Sequence, residues 1–422
     1  MAEWVKLKPM VVLSRLRVQN LLSFGEKGVE VALEPLNVLI GPNGSGKSNL
    51  IEVIGLLKSA PEDLAEPFRE TGGISEWIWK GGSGKLPATI EATAKVSPPH
   101  DSEGFTFPSR RVVGQKTGRK SVIPLRYSLS VRPSNYQLEI VNERVEEEFS
   151  GASPYARAPK VFFAHEEGRP VLFPNRGRQA LRPEEINPQK SILSQRKDPD
   201  QYPELTELGR VFSSFRFYRD WDFGINSRAR EASFVDAPVD FLEESTRNLA
   251  LMVNQLLDKP EIKSRFLEHV KQFYADAESV NTTLVGGRID LRLVEKKRIN
   301  ISALRLSDGT LRWLALLTIL LHPSPPPLVC LEEPELGLHP DVIRPLASLL
   351  VHASQRMQLI VTTHSDLLVD EFTETPESVI VCEKEAGATV LKRLQQRDLS
   401  KWLKKYTLGE LWHKGQIGGT RW

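Results

Sequence analysis

Eight residues, 41–48, have the types and spacing that can hold a phosphate group. They read Gly-Pro-Asn-Gly-Ser-Gly-Lys-Ser, with an apolar run at 38–40 before them and a helical pattern after them. Glycines let the backbone curl so that its N–H groups point at one phosphate, while Lys47 can reach the β and γ oxygens and the Ser48 hydroxyl can bind Mg²⁺. The following helix would direct the positive end of its dipole at the same phosphates. The pattern predicts a nucleoside triphosphate site formed by Gly41, Pro42, Asn43, Gly44, Ser45, Gly46, Lys47, Ser48 and Asn49.

Two adjacent carboxylates end a second apolar run. Residues 328–331 (Leu-Val-Cys-Leu) predict a buried strand, and Glu332 and Glu333 follow it directly. Adjacent strand residues point to opposite faces, so the two acids should have different tasks. Glu332 is placed to hold Mg²⁺, directly or through water, and Glu333 to polarise the water that attacks a γ-phosphate. The alternative is a pair of surface glutamates, although buried strands rarely end in two uncompensated charges.

Two further segments carry groups that could approach the same phosphates. Ser307, Asp308 and Gly309 precede an apolar helix predicted over 311–321. Ser307 or Asp308 can cap free N–H groups, and Gly309 allows a ligand close to the backbone, although on its own this is an ordinary helix start. His364 follows the apolar run 359–361. A lone histidine is usually structural, but one that ends a strand beside the carboxylate strand can reach a γ-phosphate.

Taken in order, these motifs resemble those of the ABC-class ATPases, specifically the RecF, SMC and OLD branch of AAA-type ATPases. The opening strand pattern at 15–20, with Phe24, also resembles that branch. The five motifs are the loop 41–48, Leu-Ser-Asp-Gly-Thr at 306–310, Glu-Glu-Pro-Glu at 332–335, Leu-His-Pro at 338–340 and Thr-His-Ser at 363–365. The resemblance implies an α/β fold: an ABC-type P-loop ATPase head with a mixed sheet and P-loop helix, an antiparallel β subdomain and a helical signature lobe.

The resemblance also implies a mechanism with ATP and Mg²⁺ as cofactors. A head-to-tail homodimer, or a higher homo-oligomer, would bind two ATP molecules and hydrolyse them to ADP and phosphate. Each ATP would lie on Lys47 of one copy and be capped by the segment Ser307, Asp308 and Gly309 of the other. Glu333 and His364 would be catalytic. The implied metal ligands are Ser48, Glu332 and, as the candidate for the family's glutamine loop, Gln195.

The periodicity and turn patterns divide the chain into five parts. Helices are predicted over 205–217, 241–257 and 262–277, hairpins around 133–135 and 286–287, and a kink or a late start at Pro345 in the helix after Pro340. The parts are 1–60, the N-terminal core with the phosphate loop; 61–150, an antiparallel β-rich part; 151–300, an irregular connector (152–203) and a helical lobe; 301–395, the rest of the core; and 396–422, a C-terminal amphipathic helix and tail.

Composition and charge restrict the compartment and the partners. The chain is 40% hydrophobic and 26% charged, as in a globular soluble protein. Its longest apolar run, 314–321, is far shorter than the about 20 residues that cross a bilayer, and the N-terminus lacks a secretory signal. Cys330 and Cys382 both lie in apolar runs and are predicted to be buried thiols, which fits a reducing compartment. We therefore expect a cytoplasmic protein with no membrane partner.

The sequence leaves open the process in which such an ATPase would act. One hypothesis is a nucleic-acid-linked system, anti-phage defence or DNA repair, with a separate effector or nuclease chain. The about sixty residues after His364 are too few for a fused Toprim nuclease, and no sustained apolar heptads predict a long coiled coil. The alternatives are a RecF-like clamp that binds DNA directly and, disfavoured because transporter signatures read Leu-Ser-Gly-Gly-Gln, a transporter subunit.

Contact with DNA or RNA is possible but not required by the charge. The net charge of +2 neither demands nor excludes a nucleic acid. Two basic runs could provide the contact or be ordinary solvated surface. They are Arg110, Arg111, Lys116, Arg119 and Lys120 in one segment, and Lys296, Lys297 and Arg298 in the other.

Overall fold

The structure is a computed structural model that describes residues 11–82, 84, 86–97, 122–148, 158–166, 168–174 and 177–419. The basic run at 110–120 lies outside the described residues. Two compact units are present, and neither is continuous in sequence. The phosphate-loop unit comprises residues 11–215, Ile380–Leu394 and residues 417–419, and the carboxylate unit comprises Arg216–Val379 and Gln395–Gln416. The five-part division made from the sequence stays a prediction.

The described residues form the following elements in chain order. The strands are β1 (Leu13–Gln19), β2 (Val29–Ala32), β3 (Leu36–Ile40), β4 (Ala88–Val96), β5 (Ile123–Ser134), β6 (Gln137–Glu147), β7 (Val161–Glu166), β8 (Arg169–Leu172), β9 (Gln179–Ala180), β10 (Arg216–Tyr218), β11 (Ser233–Phe234), β12 (Ala277–Val285), β13 (Arg288–Glu295), β14 (Ile299–Ser302), β15 (Leu328–Glu332), β16 (Gln358–Thr362), β17 (Val379–Glu385) and β18 (Ala388–Arg393). The α-helices are α1 (Lys47–Ser59), α2 (Glu66–Glu70), α3 (Ile74–Trp77), α4 (Ile192–Gln195), α5 (Pro203–Ser213), α6 (Leu249–Leu257), α7 (Pro260–Phe273), α8 (Asp308–Leu320), α9 (Ile343–Ser354), α10 (Asp366–Asp370), α11 (Gln396–Leu399) and α12 (Leu408–His413).

The phosphate-loop unit contains an antiparallel sheet in the order β2-β1-β4-β5-β6-β7-β8-β9. The predicted hairpin between β5 and β6 is present, but its turn is Asn135-Tyr136, with Ser134 paired to Gln137. Both turn residues have positive φ, 49° and 64°, as a two-residue hairpin turn of the mirror-image type requires. Pro133 and Ser134 therefore belong to β5, and the turn predicted at 133–135 is displaced toward the C-terminus.

The stretch 152–203, predicted to be an irregular connector, contains regular structure. Strand β7 pairs with β6, and β8 pairs with β7. The short apolar runs of these strands alternate with prolines and charges, so composition averaged over fifty residues hides them. In the same unit, β17 lies between β3 and β18, and α1 packs against α5.

The carboxylate unit contains three parallel strands in the order β10-β15-β16. Residues 328–331 of β15 and all of β16 are buried, as their apolar sequences predict for strands covered on both faces. Helix α8 is buried along nearly its whole length and packs against α6, α7 and α9. A second, antiparallel sheet has the order β11-β13-β12, with β14 also paired to β13. The hairpin predicted at 286–287 is the one between β12 and β13.

Several helix boundaries differ from the sequence prediction for identifiable reasons. The helix predicted over 205–217 ends at Ser213, and Arg216–Tyr218 is strand β10. The helix predicted over 241–257 begins only at Leu249, because the Asn248 side chain binds the backbone at 238, 241 and 243 and holds that segment as a loop. The C-terminal helix is two short ones, α11 and α12. Helix α9 starts late, after a 3₁₀ turn at Pro340–Val342, so Pro345 lies in its first turn, where a missing N–H costs little.

Two further features bear on the predicted class. Cys330 and Cys382 are buried thiols outside any disulfide, as predicted. No described helix is longer than the fourteen residues of α7. Within the ranges given above, no helix combines the length and the apolar character that a membrane span needs.

Candidate functional site

The loop between β3 and α1 has the backbone that phosphate binding requires. Gly41, Gly44 and Gly46 have φ values of +146°, +76° and +106°, which residues with side chains rarely adopt. A Cβ atom on Gly41 would lie 2.2 Å from the carbonyl oxygen of Cys382, and one on Gly46 would lie 2.2 Å from Oγ1 of Thr389. Glycine is therefore required at both positions by space as well as by backbone angle.

Lys47 and the start of α1 complete this loop. The Lys47 side chain is buried, and its Nζ donates to the carbonyl oxygens of Gly41 at 2.7 Å and Pro42 at 3.1 Å. The N-cap residue Gly46 provides no side-chain acceptor, and the first turn contains no acidic residue. The first N–H groups of α1 therefore have no N-cap side chain as acceptor, and a bound anion could accept hydrogen bonds from them. Ser48 is exposed in the same turn.

Two residues that the sequence did not suggest support the loop from outside. The Thr389 hydroxyl lies 2.8 Å from the carbonyl oxygen of Ser45 and 2.7 Å from Oγ of Ser23. The Asn49 side chain donates to the same Ser23 Oγ at 2.7 Å, so its amide holds the loop, and its predicted contact with nucleotide stays a prediction. No spacing rule connects Ser23, Ser45 and Thr389, which are brought together only by the fold.

Glu332, at the end of β15, uses its two carboxylate oxygens differently. Oε2 accepts a hydrogen bond from Nε of Arg219 at 3.1 Å, and Trp221 donates to the Glu332 carbonyl oxygen at 2.8 Å. Among the described residues, Oε1 is buried without a hydrogen-bond partner. A buried acceptor left unpaired is costly unless a ligand completes it. This arrangement fits the predicted metal ligand.

Glu333 occupies a left-handed turn that backbone bonds hold in place. Its φ is +44°, a conformation that costs a side-chain residue about 1–3 kcal/mol and is concentrated at functional sites. Its N–H donates to the Thr362 carbonyl oxygen at 3.0 Å, and its own carbonyl oxygen accepts from Arg312 of α8 at 3.3 Å. Its carboxylate Oε1 lies 3.6 Å from Nε2 of His364. The two predicted catalytic side chains are therefore neighbours at the ends of β15 and β16, and both are partly exposed.

Of the predicted Mg²⁺ ligands Glu332 and Gln195, Glu332 has an oxygen without a hydrogen-bond partner in the described part of the chain, whereas the Gln195 amide is already hydrogen-bonded. No group of three or more His, Cys, Asp or Glu side chains within the described ranges could hold a metal by itself, but Mg²⁺ is usually bound by one or two carboxylates together with substrate phosphates. The unpaired oxygen of Glu332 meets that requirement. The Gln195 amide is less available to a metal, because it already accepts a hydrogen bond from the Asn187 N–H and donates to the carbonyl oxygens of Asn187 and Lys190. Its assignment as a ligand stays a prediction that would require breaking these bonds.

The signature segment begins α8 as the sequence predicts. The Ser307 hydroxyl accepts from the Thr310 N–H at 3.1 Å and so caps the helix. Ser307 and Asp308 are exposed. A Cβ atom on Gly309 would lie 2.9 Å from the carbonyl oxygen of Gly337, in the loop after β15. The helix start and the carboxylate loop are therefore in close contact within this unit.

A buried arginine that the sequence did not indicate holds this segment. Arg230 is almost fully buried. Its guanidinium donates to the backbone carbonyl oxygens of Phe223, Gly224, Ala303, Leu304 and Leu306 and to the carboxylate of Asp308. The planar fork of arginine suits such a set of acceptors, and lysine could not reach all of them.

We expect Arg230→Gln to destabilise the protein strongly, because it leaves buried carbonyl oxygens without donors. The expected loss is about 2–4 kcal/mol of unfolding free energy, measured by chemical denaturation. Arg344→Gln is the control, since Arg344 pairs with Glu371 at the surface and its loss should cost less than about 1 kcal/mol. Equal effects of the two substitutions would contradict the role of Arg230.

Comparisons with known proteins identify the family and the fold of the chain. The family model described as "AAA domain, putative AbiEii toxin, Type IV TA system" matches residues 36–370. Among solved structures, a Smc head domain bound to the C-terminal domain of ScpA, derived from Pyrococcus furiosus, has a TM-score of 0.54 at 14% identity and covers 94% of this chain and 99% of that one. A Smc head bound to the C-winged helix domain of ScpA has a TM-score of 0.53 at 14% identity and covers 93% and 100%. No curated protein matches the chain. The predicted resemblance and fold class are thereby confirmed.

Proposed function

The chain belongs to the AAA-domain family whose model matches residues 36–370, and we propose that it binds ATP with Mg²⁺ and hydrolyses it. In this proposal the γ-phosphate of the bound ATP holds two copies of the chain together. The observation that carries hydrolysis is the Glu333–His364 pair, 3.6 Å apart at the ends of two buried strands. The observation that carries binding is the glycine loop with buried Lys47.

In this proposal each side chain has one task. Lys47 exchanges the carbonyl oxygens of Gly41 and Pro42 for phosphate oxygens, which gives it charge-assisted hydrogen bonds. Mg²⁺, held by Ser48 and Glu332, would neutralise charge on the phosphates. Glu333 accepts the proton of the attacking water, and His364 orients the reacting groups.

The clamp uses the exposed start of α8. Ser307, Asp308 and Gly309 of one copy would cap the ATP held by the other, because the N-terminal end of a helix attracts the γ-phosphate. Hydrolysis removes that phosphate and so weakens the contact. Support comes from the exposure of Ser307 and Asp308 at the start of this helix.

The direct test is phosphate release by the purified protein. We expect turnover with ATP and Mg²⁺, and its loss when Mg²⁺ is removed with a chelator, because Glu332 and Ser48 then have no metal to hold. Restoring Mg²⁺ should restore the rate. Failure to release phosphate at any Mg²⁺ concentration would contradict the proposed hydrolysis.

We propose further that the clamp works in anti-phage defence or DNA repair together with a separate effector or nuclease chain, in the cytoplasm. The description of the family as a toxin of a toxin–antitoxin system supports a defence role. The exposed run Lys296, Lys297 and Arg298 between β13 and β14 supports contact with a nucleic acid. Co-purification with the products of adjacent genes tests the partner, and a permease among them would favour transport instead.

A further inference from the structure

A carboxylate outside the roles described so far joins the loops that follow β15 and β16. Oε1 of Glu335 accepts hydrogen bonds from the Thr363 hydroxyl at 2.5 Å and from the backbone N–H of His364 at 3.2 Å. The same loops are joined once more by the bond from the Glu333 N–H to the Thr362 carbonyl. Glu335 therefore fixes the backbone of the residue whose imidazole faces Glu333.

Burial of the Glu335 carboxylate lowers the stability of the folded state. Its second oxygen, Oε2, is buried with no hydrogen-bond partner among the described residues. Burial raises the pKa of the Glu335 carboxyl, and the neighbouring Glu333 charge acts in the same direction, while the bonds from Thr363 and His364 oppose the shift. A half-paired buried carboxylate destabilises a protein relative to an apolar residue. Stability alone therefore does not account for a glutamate here.

The bond to the backbone N–H of His364 specifies what Glu335 can control. That residue is the second of the segment 363–365 that follows β16, and the Ser365 N–H donates to Thr363 Oγ1 at 3.0 Å. One carboxylate oxygen thus holds the whole 363–365 turn, and with it the direction in which the His364 side chain leaves the backbone. A shift of about 1 Å at such a position can cost a reaction about 100-fold.

We propose that Glu335 is a positioning residue for the hydrolysis: it accepts hydrogen bonds from Thr363 and His364 and so holds the imidazole toward Glu333, and it acts as an acceptor rather than through its charge. This inference rests on the proposed function. It predicts that the same substitution, glutamate to glutamine, abolishes turnover at Glu333 and leaves it nearly unchanged at Glu335.

The experiment compares Glu335→Gln, Glu335→Ala and Glu333→Gln. Glutamine keeps an oxygen that can accept both bonds, so Glu335→Gln should retain kcat to within about threefold, whereas Glu335→Ala should lower kcat about 10- to 100-fold with KM for ATP unchanged. Glu333→Gln should lose turnover almost completely. Thr363→Val should lower kcat in the same direction as Glu335→Ala, and Thr363→Ser should restore it; this pair also serves if Glu335→Ala does not fold.

A second readout is independent of turnover. Amide hydrogen exchange in the segment 363–365 should be faster in Glu335→Ala than in the wild type and unchanged in Glu335→Gln. If the wild type does not hydrolyse ATP, the proposed function fails, and the exchange measurement still tests the positioning. The inference is overturned if Glu335→Gln loses as much turnover as Glu333→Gln, or if Glu335→Ala keeps the wild-type kcat and exchange rate.

Discussion

Glu333→Gln is expected to stop turnover while ATP stays bound. Glutamine has the shape of glutamate but cannot accept a proton from water, and general-base catalysis contributes about 10²–10⁴-fold. The backbone bonds that hold this residue in its left-handed turn, to Thr362 and Arg312, do not involve the side chain and should persist. We therefore expect kcat to fall by about 1,000-fold, measured as phosphate release.

Binding of ATP should survive this substitution, because the phosphate loop that carries Lys47 belongs to the other unit and is left unchanged. Retention of labelled ATP by the purified variant checks this. Glu374→Gln, at an exposed position of the carboxylate unit, is the matched control and should keep the parental rate. A Glu333→Gln variant that releases phosphate at the parental rate would show that Glu333 is not the base.

Lys47→Ala is expected to abolish nucleotide binding. The buried ammonium now donates to two carbonyl oxygens of its own loop, and in the proposed complex it donates to phosphate oxygens instead. A hydrogen bond to a charged group contributes about 1.5–3 kcal/mol, so losing two of them weakens binding by more than about 100-fold. Calorimetric titration with ATP and Mg²⁺ measures the change.

Lys58→Ala is the control for this variant, since Lys58 lies in the last turn of the same helix, α1. It should bind ATP with the parental affinity. An unaltered affinity in Lys47→Ala would contradict the assignment of residues 41–48 as a phosphate loop. The two substitutions together separate binding, which depends on Lys47, from turnover, which depends on Glu333.

The elements that carry the candidate site were predictable because their signals are local. Gly41, Gly44 and Gly46 must each adopt positive φ, which their spacing already indicates, and the runs that became β15 and β16 are apolar throughout. Ser307 caps α8 by a bond that spans three residues. Each of these features depends on neighbours within a few positions, which a sequence displays directly.

The supporting residues were not predictable, because their partners are distant in sequence. Thr389 supports the phosphate loop from more than 340 positions away, and Arg230 reaches Asp308 across 78. Strands β7 and β8 were missed because their short apolar runs lie among prolines and charges, which dominate the composition of the stretch 152–203. The helix predicted over 241–257 was too long because the sequence does not show that the Asn248 side chain bonds to the backbone at 238, 241 and 243. Those bonds hold the segment before Leu249 as a loop.

The central claim is that ATP holds two copies of the chain together, and the most direct measurement is the mass of the Glu333→Gln variant by light scattering with and without saturating ATP and Mg²⁺. We predict twice the monomer mass with nucleotide and the monomer mass without it. The double variant Lys47→Ala with Glu333→Gln should stay monomeric in both conditions. A Glu333→Gln protein that binds ATP yet keeps the monomer mass would contradict the account.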